Sequence, residues 1–417
     1  MHPLSGGRRR PPLTVLTLGE DEAAARSRPG GNEPGTRPLF LCLSHLRWDF
    51  VWQRPQHLLV RAARTHDVFV LEEPIHRPVE HAHLEITPRP HGIRIGVPVL
   101  PEGTPQEETD AIQGRLLDDF LADDGRTPAV LWYYTPMAMP FSSHIEADAV
   151  VYDNMDELSA FRGASPEMLA REEALFGRAD LVFTGGRSLY EAKRGRHPNV
   201  TAFPSSIDIH HFAAARVRHG GDPQDQSAIP HPRLGFFGVI DERMDVDLVA
   251  AVAALRPEWQ LVMLGPVVKI DPAALPRLPN IHWIGPRSYA ELPAYLAGWN
   301  LGLMPFALNE STRFISPTKT PEYLAAGLPL VSTRITDVVR PYGDLGLVEI
   351  ADTAEDVVRL AEALMTRARQ PWLDAVDRHL AHSSWDRTWA EMSELIRAAA
   401  SERQSASQPR LAISGVA

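Results

Sequence analysis

Apolar runs of strand length recur along the chain, separated by stretches with helical spacing. The first run, LFLCLS at 39–44, is unbroken, as expected for a strand buried in a parallel sheet. Further strands are predicted at 68–74, 93–101, 129–136, 149–154, 181–185 and 199–206, with helices at 56–65, 106–122 and 167–179. This alternation predicts a parallel sheet covered on both faces.

The alternation stops at residues 213–232, a polar stretch rich in Gly and Pro that is typical of a linker between domains. It then restarts. Strands are predicted at 233–240, 259–265, 280–286, 301–306, 328–333 and 345–351, and helices at 245–257, 288–299, 353–368 and 384–402. The sequence therefore predicts an α/β protein with two tandem doubly wound Rossmann-like domains, 37–212 and 233–385. Ligands of such sheets lie at the carboxyl ends of the strands, so the predicted site is the cleft between the domains.

The two ends of the chain give weaker patterns. Residues 1–36 are rich in Gly, Pro, Arg and Glu, a composition that predicts a disordered arm. A helix at 386–403 is predicted to pack back toward the N-terminal domain, followed by a tail at 404–417.

Composition narrows the functional classes. A chain of 417 residues suits two domains, and its formal charge of −11 argues against nucleic acid as a partner. The one cysteine, Cys42, cannot form an internal disulfide, and no apolar run approaches the roughly 18 residues of a spanning helix. A cytoplasmic location is expected, and peripheral contact with the inner face of the membrane stays open.

Residues 316–333, SPTKTPEYLAAGLPLVST, combine a cation and a carboxylate at a predicted helix start. Thr320 is predicted as the N-cap and Pro321 as the first helical residue, and Gly327 is placed to end the helix. Lys319 is suited to phosphate, and Glu322 can accept hydrogen bonds from both hydroxyls of a ribose. The spacing alone is equally compatible with a capped helix carrying a solvated Lys–Glu pair.

The same stretch resembles the donor-site helix of GT-B glycosyltransferases, in the large retaining group often called family 4. Four other segments are similar to that family in the same order. They are 179–212, 235–249, 260–266 and 280–306, which contain ADLVFTGGRSLYEAK, GFFGVIDERMDVDLV, QLVMLGP and NIHWIGPRSYAELPAYL respectively. The resemblance covers most of residues 38–400. It implies a GT-B fold and sugar transfer from a nucleotide-diphosphate sugar with retention, without a cofactor or a bound metal.

The resemblance also implies donor-binding residues. Glu322 matches the family's ribose-binding Glu, Arg243 its phosphate-clamping Arg, and Gly238 the loop that approaches the phosphates. Gly285 and Pro286 match the loop that contacts the base. The remaining expected donor contacts are Gly265, Ser316, Thr318, Lys319 and Thr320.

Two positions depart from the family pattern. The first Glu of the E-x7-E motif should stand at position 314, which is Phe314, and no Lys follows Arg243 by a turn. Lys319 is expected to supply the missing cation, and Asn309 and Glu310 lie in the same loop as Phe314.

The acceptor is expected at the strand ends of the N-terminal domain. SHLRWDFVWQRPQHLL at 44–59 follows the first strand, and within the resemblance its W-x-x-x-x-Q-R-P-Q pattern is typical of a bacterial subgroup acting on cell-surface polysaccharides. The predicted acceptor-binding residues are His45, Trp48, Trp52, Arg54, Tyr134 and Asp156. Asp153 joins Arg243 and Lys319 as a predicted catalytic residue. For Asp153 and Asp156, turn formation and helix capping are equally compatible readings.

Other motifs are weaker. Asp245 and Asp247 spell D-x-D, but they open a helix, where capping is the better interpretation than metal binding. The sequence thus predicts a glycosyltransferase acting on a glycan, a lipid-linked or a small-molecule acceptor. A nucleotide-sugar epimerase of the same fold and a non-catalytic nucleotide-sugar binder remain the alternatives.

Overall fold

The computed structural model describes residues 37–217 and 221–407. The arm predicted at 1–36 and the end of the predicted tail, 408–417, lie outside the described residues.

The first half forms a nine-stranded sheet. Its order is β3-β5-β2-β1-β6-β7-β8-β9, with β4 added antiparallel to β5 and every other pairing parallel. The strands are β1 (Leu39–Ser44), β2 (Asp67–Glu72), β3 (Ile75–Arg77), β4 (His83–Pro88), β5 (Arg94–Pro101), β6 (Val130–Tyr133), β7 (Ala149–Asn154), β8 (Leu181–Thr184) and β9 (Val200–Ala202).

The second half forms a six-stranded, fully parallel sheet in the order β12-β11-β10-β13-β14-β15. This is the strand order of a Rossmann fold, in which strands are added first on one side of the first strand and then on the other. The strands are β10 (Arg233–Phe237), β11 (Gln260–Leu264), β12 (Ile281–Gly285), β13 (Leu301–Met304), β14 (Leu330–Ser332) and β15 (Glu349–Ile350).

Helices cover both faces of each sheet. Those of the first half are α1 (Arg54–Ala62), α2 (Gln106–Asp124), α3 (Met139–Ser142), α4 (Met168–Arg178), α5 (Arg187–Lys193) and α6 (Ile209–Ala213). The others are α7 (Gln224–Ser227), α8 (Val246–Leu255), α9 (Leu292–Leu296), α10 (Lys319–Ala325), α11 (Thr336–Val338), α12 (Ala354–Thr366), α13 (Arg369–Leu380) and α14 (Trp385–Ser407).

Four apolar clusters fill the spaces between helices and sheets. Two of them lie on the two faces of the first sheet, and the other two lie on the second. The long final helix α14 belongs to the first sheet, since Trp385, Met392 and Ile396 are buried against residues of β1, β6 and β8. The chain therefore returns to its first half after completing the second.

The predicted linker is tied to the second half. Gln226 is fully buried, its amide donates to the carbonyl of Tyr295, and its side-chain oxygen accepts from the Trp299 indole. Asp222 forms an ion pair with Arg233 at 2.7 Å. The polar composition of this segment reflects specific hydrogen bonds to the second half.

Candidate active site between the two sheets

The carboxyl ends of β10 and β11 face the loop that follows β1 across a cavity of about 140 Å³, called here the donor cavity. Most of the donor residues predicted from sequence line it. The lining comprises Phe50, Val51, Trp52 and Gln53 from the first half and Phe237, Gly238, Val239, Arg243, Leu264, Gly265, Pro266, Pro286, Arg287, Tyr289, Leu292, Thr318, Lys319 and Glu322 from the second.

Helix α10 brings Lys319 and Glu322 to this cavity. The helix begins at Lys319 with Thr318 as its N-cap, so the prediction of Thr320 as N-cap is wrong. Thr320 is fully buried, and its hydroxyl faces the Met304 sulfur at 3.8 Å rather than a ligand. Pro321 falls in the first turn, where a backbone N–H has no partner within the helix, so it costs no hydrogen bond. Gly327, with φ of 71°, follows the helix in the left-handed conformation expected from its position.

Lys319 lies directly against Gly238 at the end of β10. A Cβ added at Gly238 would overlap Cε of Lys319 and lie 2.6 Å from its Nζ. Gly238 also has a φ of 126°, which strongly favours glycine. Burial lowers the pKa of Lys319, and the nearby charge of Arg243 lowers it further. A buried ammonium beside bare backbone is a group that a bound anion would stabilise.

Glu322 lies one helical turn after Lys319 and is 6% exposed. Among the residues that the structure describes, none hydrogen-bonds its carboxylate. Burial raises the pKa of Glu322, which the charge of Lys319 partly offsets. A buried carboxylate without partners is costly unless a ligand satisfies it.

Arg243 is held by its own loop. Its guanidinium donates to both carboxylate oxygens of Asp241, at 2.7 to 3.1 Å, and lies 5.4 Å from the ring centre of Phe161. Lys269 approaches the same ring at 5.1 Å. Phe161 comes from the first half, so the two cations of the second half contact an aromatic ring across the cleft.

A smaller cavity of about 80 Å³, called here the sugar cavity, continues from the donor cavity. Arg243, Thr318 and Lys319 line both cavities. Asp156 is the one carboxylate-bearing residue that lines the sugar cavity. Burial raises the pKa of Asp156, and the charge of Arg243 partly offsets this effect. Predicted donor residue Ser316 also lies here, and its carbonyl accepts a hydrogen bond from Ser205 at 2.8 Å.

Arg54 and Asp153 form a buried ion pair beside the sugar cavity. The Arg54 guanidinium donates to both Asp153 oxygens at 2.8 to 3.2 Å and to the Phe203 carbonyl at 2.7 Å. Asp153 is fully buried, and both of its carboxylate oxygens accept hydrogen bonds from Arg54. Its carboxylate is therefore not free to accept a proton from a ligand. Arg54 lines the sugar cavity while it is held by Asp153.

The predicted acceptor residues do not form one cluster. Tyr134 is 1% exposed and packs in the core of the first sheet, so the structure contradicts its assignment to an acceptor site. Trp52 lines the donor cavity instead, with its ring centre 5.9 Å from that of Tyr289 in the second half. Trp48 packs against the core, 6.3 Å from Trp52. His45 is half-buried, and burial lowers its pKa to about 4.

The base-side residues lie at the ends of β11 and β12. Gly265 and Gly285 both have positive φ, 146° and 90°, and the backbone N–H of Gly265 donates to the Gly285 carbonyl at 2.9 Å. Gly265 and Pro286 line the donor cavity, together with Arg287 and Tyr289, which sequence reasoning did not identify. The Tyr289 position lay within a recognised segment, but no pattern indicated that its ring would meet Trp52.

The D-x-D sequence caps a helix, as predicted. The Asp245 side chain accepts a hydrogen bond from the Leu248 backbone at 2.8 Å at the start of α8. Within residues 37–217 and 221–407, no helix is long and apolar enough to cross a membrane.

Comparison with known proteins bears on the second half most directly. Residues 231–367 match the family described as Glycosyl transferases group 1. A Bacillus subtilis protein named as a teichuronic acid biosynthesis glycosyltransferase, TuaH, is 26% identical over 235 residues. That similarity covers 51% of this chain and 58% of the relative, so this chain spans less than two thirds of the relative's length.

Solved structures resemble nearly the whole described chain. Sucrose-phosphate synthase from Thermosynechococcus elongatus has a TM-score of 0.65 at 16% identity, covering 89% of this chain and 100% of that one. An E. coli structure described as trehalose-6-phosphate bound with UDP-2-fluoro glucose has a TM-score of 0.61 at 12% identity, covering 86% and 99%. At these identities the similarity establishes the fold, which is GT-B, as the sequence predicted.

Proposed function

We propose that this chain, a GT-B protein whose residues 231–367 form a Glycosyl transferases group 1 domain, transfers a sugar from a nucleotide-diphosphate sugar to an acceptor hydroxyl. The observation that carries the proposal is the convergence of Lys319, Gly238, Arg243 and Glu322 on one cavity. Two cations, a bare stretch of backbone and an unpartnered carboxylate match a diphosphate attached to a ribose.

Each part of the donor has a proposed place. The diphosphate lies against Gly238 between Lys319 and Arg243, because only a residue without a side chain leaves room beside the ammonium. The ribose hydroxyls donate to Glu322, whose ionised form accepts but cannot donate. The base lies toward Gly265, Gly285 and Pro286, and Ser316 and Thr318 face the transferred sugar. The proposed donor site requires neither a cofactor nor a metal ion.

The proposed chemistry breaks the bond between the anomeric carbon and the diphosphate oxygen, which keeps the electron pair. The acceptor oxygen bonds the same carbon and passes its proton to the departing diphosphate oxygen, and retention of configuration is part of the proposal. Arg243 and Lys319 stabilise the negative charge that develops on the leaving diphosphate, which is usually the largest catalytic contribution. We assign to Asp156 the orientation of the reacting hydroxyl, because it lines the sugar cavity together with the two cations.

The acceptor is proposed to be a glycan, either free or lipid-linked, or a small molecule, bound by the first half. The name of the similar Bacillus subtilis protein, which refers to teichuronic acid biosynthesis, supports a role in cell-surface polysaccharide synthesis. A lipid-linked acceptor would bring the protein to the membrane surface, and peripheral association is proposed on that ground.

The first test is a thermal-shift panel of UDP, GDP and ADP, since a ligand that binds only the folded state raises the midpoint. The matching nucleotide-sugar is then incubated with crude glycan acceptors, and release of nucleoside diphosphate is measured. Acceptor-dependent release identifies a transferase. Isomerisation of the donor alone would identify an epimerase, and binding without turnover a silent binder.

Lys319→Ala and Glu322→Ala provide the residue-level test of the same proposal. Lys319→Ala should lower turnover far more than it lowers the melting temperature, and Glu322→Ala should weaken nucleoside diphosphate binding by calorimetry. Arg378→Ala, on the exposed surface of α13, is a control that removes a cation from the same half away from the donor cavity. Unchanged affinity in Glu322→Ala would contradict the ribose assignment.

A further inference from the structure

The first half contains a cavity of about 250 Å³ that none of the predicted acceptor residues lines, called here the acceptor cavity. It lies at the carboxyl ends of β1, β2 and β6, under the first turns of α2. One wall is apolar, formed by side chains such as Leu43, Leu71 and Phe141. Its volume is below the roughly 300–1,000 Å³ of sites for drug-sized ligands, which suits one sugar ring.

The opposite wall presents polar groups. Gln113 on α2 is 5% exposed, and no described residue hydrogen-bonds its amide. The hydroxyl of Thr109, one turn earlier, donates to the Pro105 carbonyl and keeps its acceptor capacity. A primary amide offers two donors and one acceptor oxygen. The Gln113 amide is not sealed from the cavity, so it can hydrogen-bond a hydroxyl-bearing occupant there.

The charged side chains around this cavity are mainly acidic. Asp110 is paired with Arg171 at 3.2 Å, and Glu72 with Arg47 at 3.0 Å. Glu73, at the rim, has no ion-pair partner among the described residues. The remaining titratable lining residue is His76. Arg171 is also tied to Glu167, so the lining holds no cation free for an anionic ligand.

The loop after β1 joins this cavity to the donor cavity. Ser44, the last residue of β1, lines the acceptor cavity, and the end of the loop, Phe50 to Gln53, lines the donor cavity. Between these points, Arg47 and the Trp48 backbone both bond Glu72. The same loop therefore borders both cavities.

We propose that the acceptor cavity binds the reacting sugar unit of the acceptor and selects a neutral or amino sugar against a uronate or a sugar phosphate. This inference rests on the proposed transferase function and specifies the acceptor class. The ring lies with its apolar face on Phe141 and its hydroxyls toward Gln113 and Thr109. The unpaired carboxylate of Glu73 repels a second negative charge and accepts from hydroxyl or ammonium groups.

The test is ligand-observed NMR binding of methyl glycosides to the full chain. Gluco and galacto series are each measured as the neutral sugar, the 2-amino sugar and the uronate. In at least one series, the neutral or amino form is expected to bind at least about tenfold more tightly than the uronate, a difference of about 1.4 kcal/mol. Equal or tighter binding of the uronates, or no binding of any glycoside, would overturn the proposal.

Two variants locate the effect. Gln113→Leu should weaken binding of the neutral glycoside about tenfold, as expected for the loss of one or two neutral hydrogen bonds. Gln370→Leu, on the exposed surface of α13, is its matched control. Glu73→Lys should reverse the preference toward the uronate, whereas Glu80→Lys, an equal charge change at an exposed site, should leave it unchanged.

Nucleoside diphosphate binding is measured on the same samples. Absence of glycoside selectivity in the wild type, with intact nucleoside diphosphate binding, overturns the acceptor inference alone. Absence of nucleoside diphosphate binding in the wild type would instead contradict the proposed function.

Discussion

The guanidinium of Arg54 grips the carboxylate of Asp153 through three hydrogen bonds of 2.8 to 3.2 Å, with side chains only 2% and 0% exposed. The pair joins the start of α1 to the end of β7, the two segments that border the sugar cavity. A charge pair removed so completely from water must be matched, because each charge alone would be very costly. This makes Asp153 a positioning residue for Arg54 rather than a proton acceptor.

Asp153→Leu should therefore destabilise the protein by about 3–5 kcal/mol, since it leaves the Arg54 charge buried and unpaired. The double variant Arg54→Met/Asp153→Leu should recover much of that loss by removing both charges. Chemical denaturation measures the free energy of unfolding of each. A fully stable but inactive Asp153→Leu would favour the catalytic role that the sequence predicted.

Gly238→Ala tests the closeness of backbone and ammonium in the donor cavity. The new Cβ would collide with Lys319 and would also force a strained φ, so nucleoside diphosphate affinity should fall by about tenfold or more. Gly125 has a φ of 71° and open space around it, so Gly125→Ala is the control for backbone strain alone. We expect this control to lose about 1–2 kcal/mol of stability. Calorimetry with the nucleoside diphosphate should show a loss of affinity in the first variant only.

Asp156→Asn tests the carboxylate of the sugar cavity. The amide keeps the shape but offers a weaker acceptor, so turnover should fall by about 10²-fold or more while nucleoside diphosphate affinity changes little. Steady-state kinetics and calorimetry together separate these effects. A parallel fall in nucleoside diphosphate affinity would place Asp156 with the donor nucleotide instead.

Trp52→Ala should weaken binding of the nucleotide-sugar donor and leave binding of the acceptor unchanged, whereas the sequence predicted an acceptor contact. Trp52 lines the donor cavity and contacts Tyr289 across the cleft. The KM for the nucleotide-sugar should rise several-fold, with little change in the KM for the acceptor. The reverse pattern would restore Trp52 to the acceptor site.

His57 should make stability fall in acid. The ring is 4% exposed, stacks on Trp385 at 4.7 Å and accepts the Trp52 indole N–H at 3.4 Å. Burial lowers the pKa of His57 to about 3, with Arg61 adding to the effect, against about 6.5 when unfolded. The folded state thus keeps His57 neutral while the unfolded state takes up a proton.

The resulting stabilisation is complete above pH 6.5 and is lost as the pH falls toward 3, by about 1.4 kcal/mol per pH unit. His57→Phe should flatten the decline between pH 6.5 and 4 by that amount. The same substitution at His81, an exposed histidine, provides the control. Parallel unfolding curves for His57→Phe and wild type across this range would refute the assignment.

Buried strands were predictable because burial on both faces leaves an unbroken apolar run. LFLCLS at 39–44 and AVVYDN at 149–154 were assigned with the bounds that the structure has. Strand β4, which pairs antiparallel with β5, was not predicted. None of its residues is fully buried, and its sequence HLEITP contains no apolar run. Helix α13 was missed as well, because Pro371 lies near its start and reads as a break.

The site residues that could be predicted are those located by a local sequence pattern, and the others depend on how distant elements pack. Lys319 and Glu322 were identified because a helix start and a family pattern locate them within a few residues of each other. The place of Trp52 in the lining of the donor cavity was not predicted, because it depends on how the two sheets face each other, which no local pattern encodes. Gln113 carried no signal, since a single glutamine on a helix reads as surface. The assignment of Tyr134 to the acceptor site was wrong because the side chain of a residue just after a strand can point into the core as readily as into a cleft.

Helix α14 has a practical consequence for recombining this protein with its relatives. The sheet that begins at Leu39 is covered by side chains encoded after residue 384, so a gene fragment ending at the linker would leave Trp132 without its partner Trp389 and His57 without its partner Trp385. Chimaeras that exchange the donor-binding half should therefore splice twice, once near residue 232 and again before Trp385. A single crossover would pair the first sheet with a final helix from the other protein, and such a chimaera is expected to be insoluble.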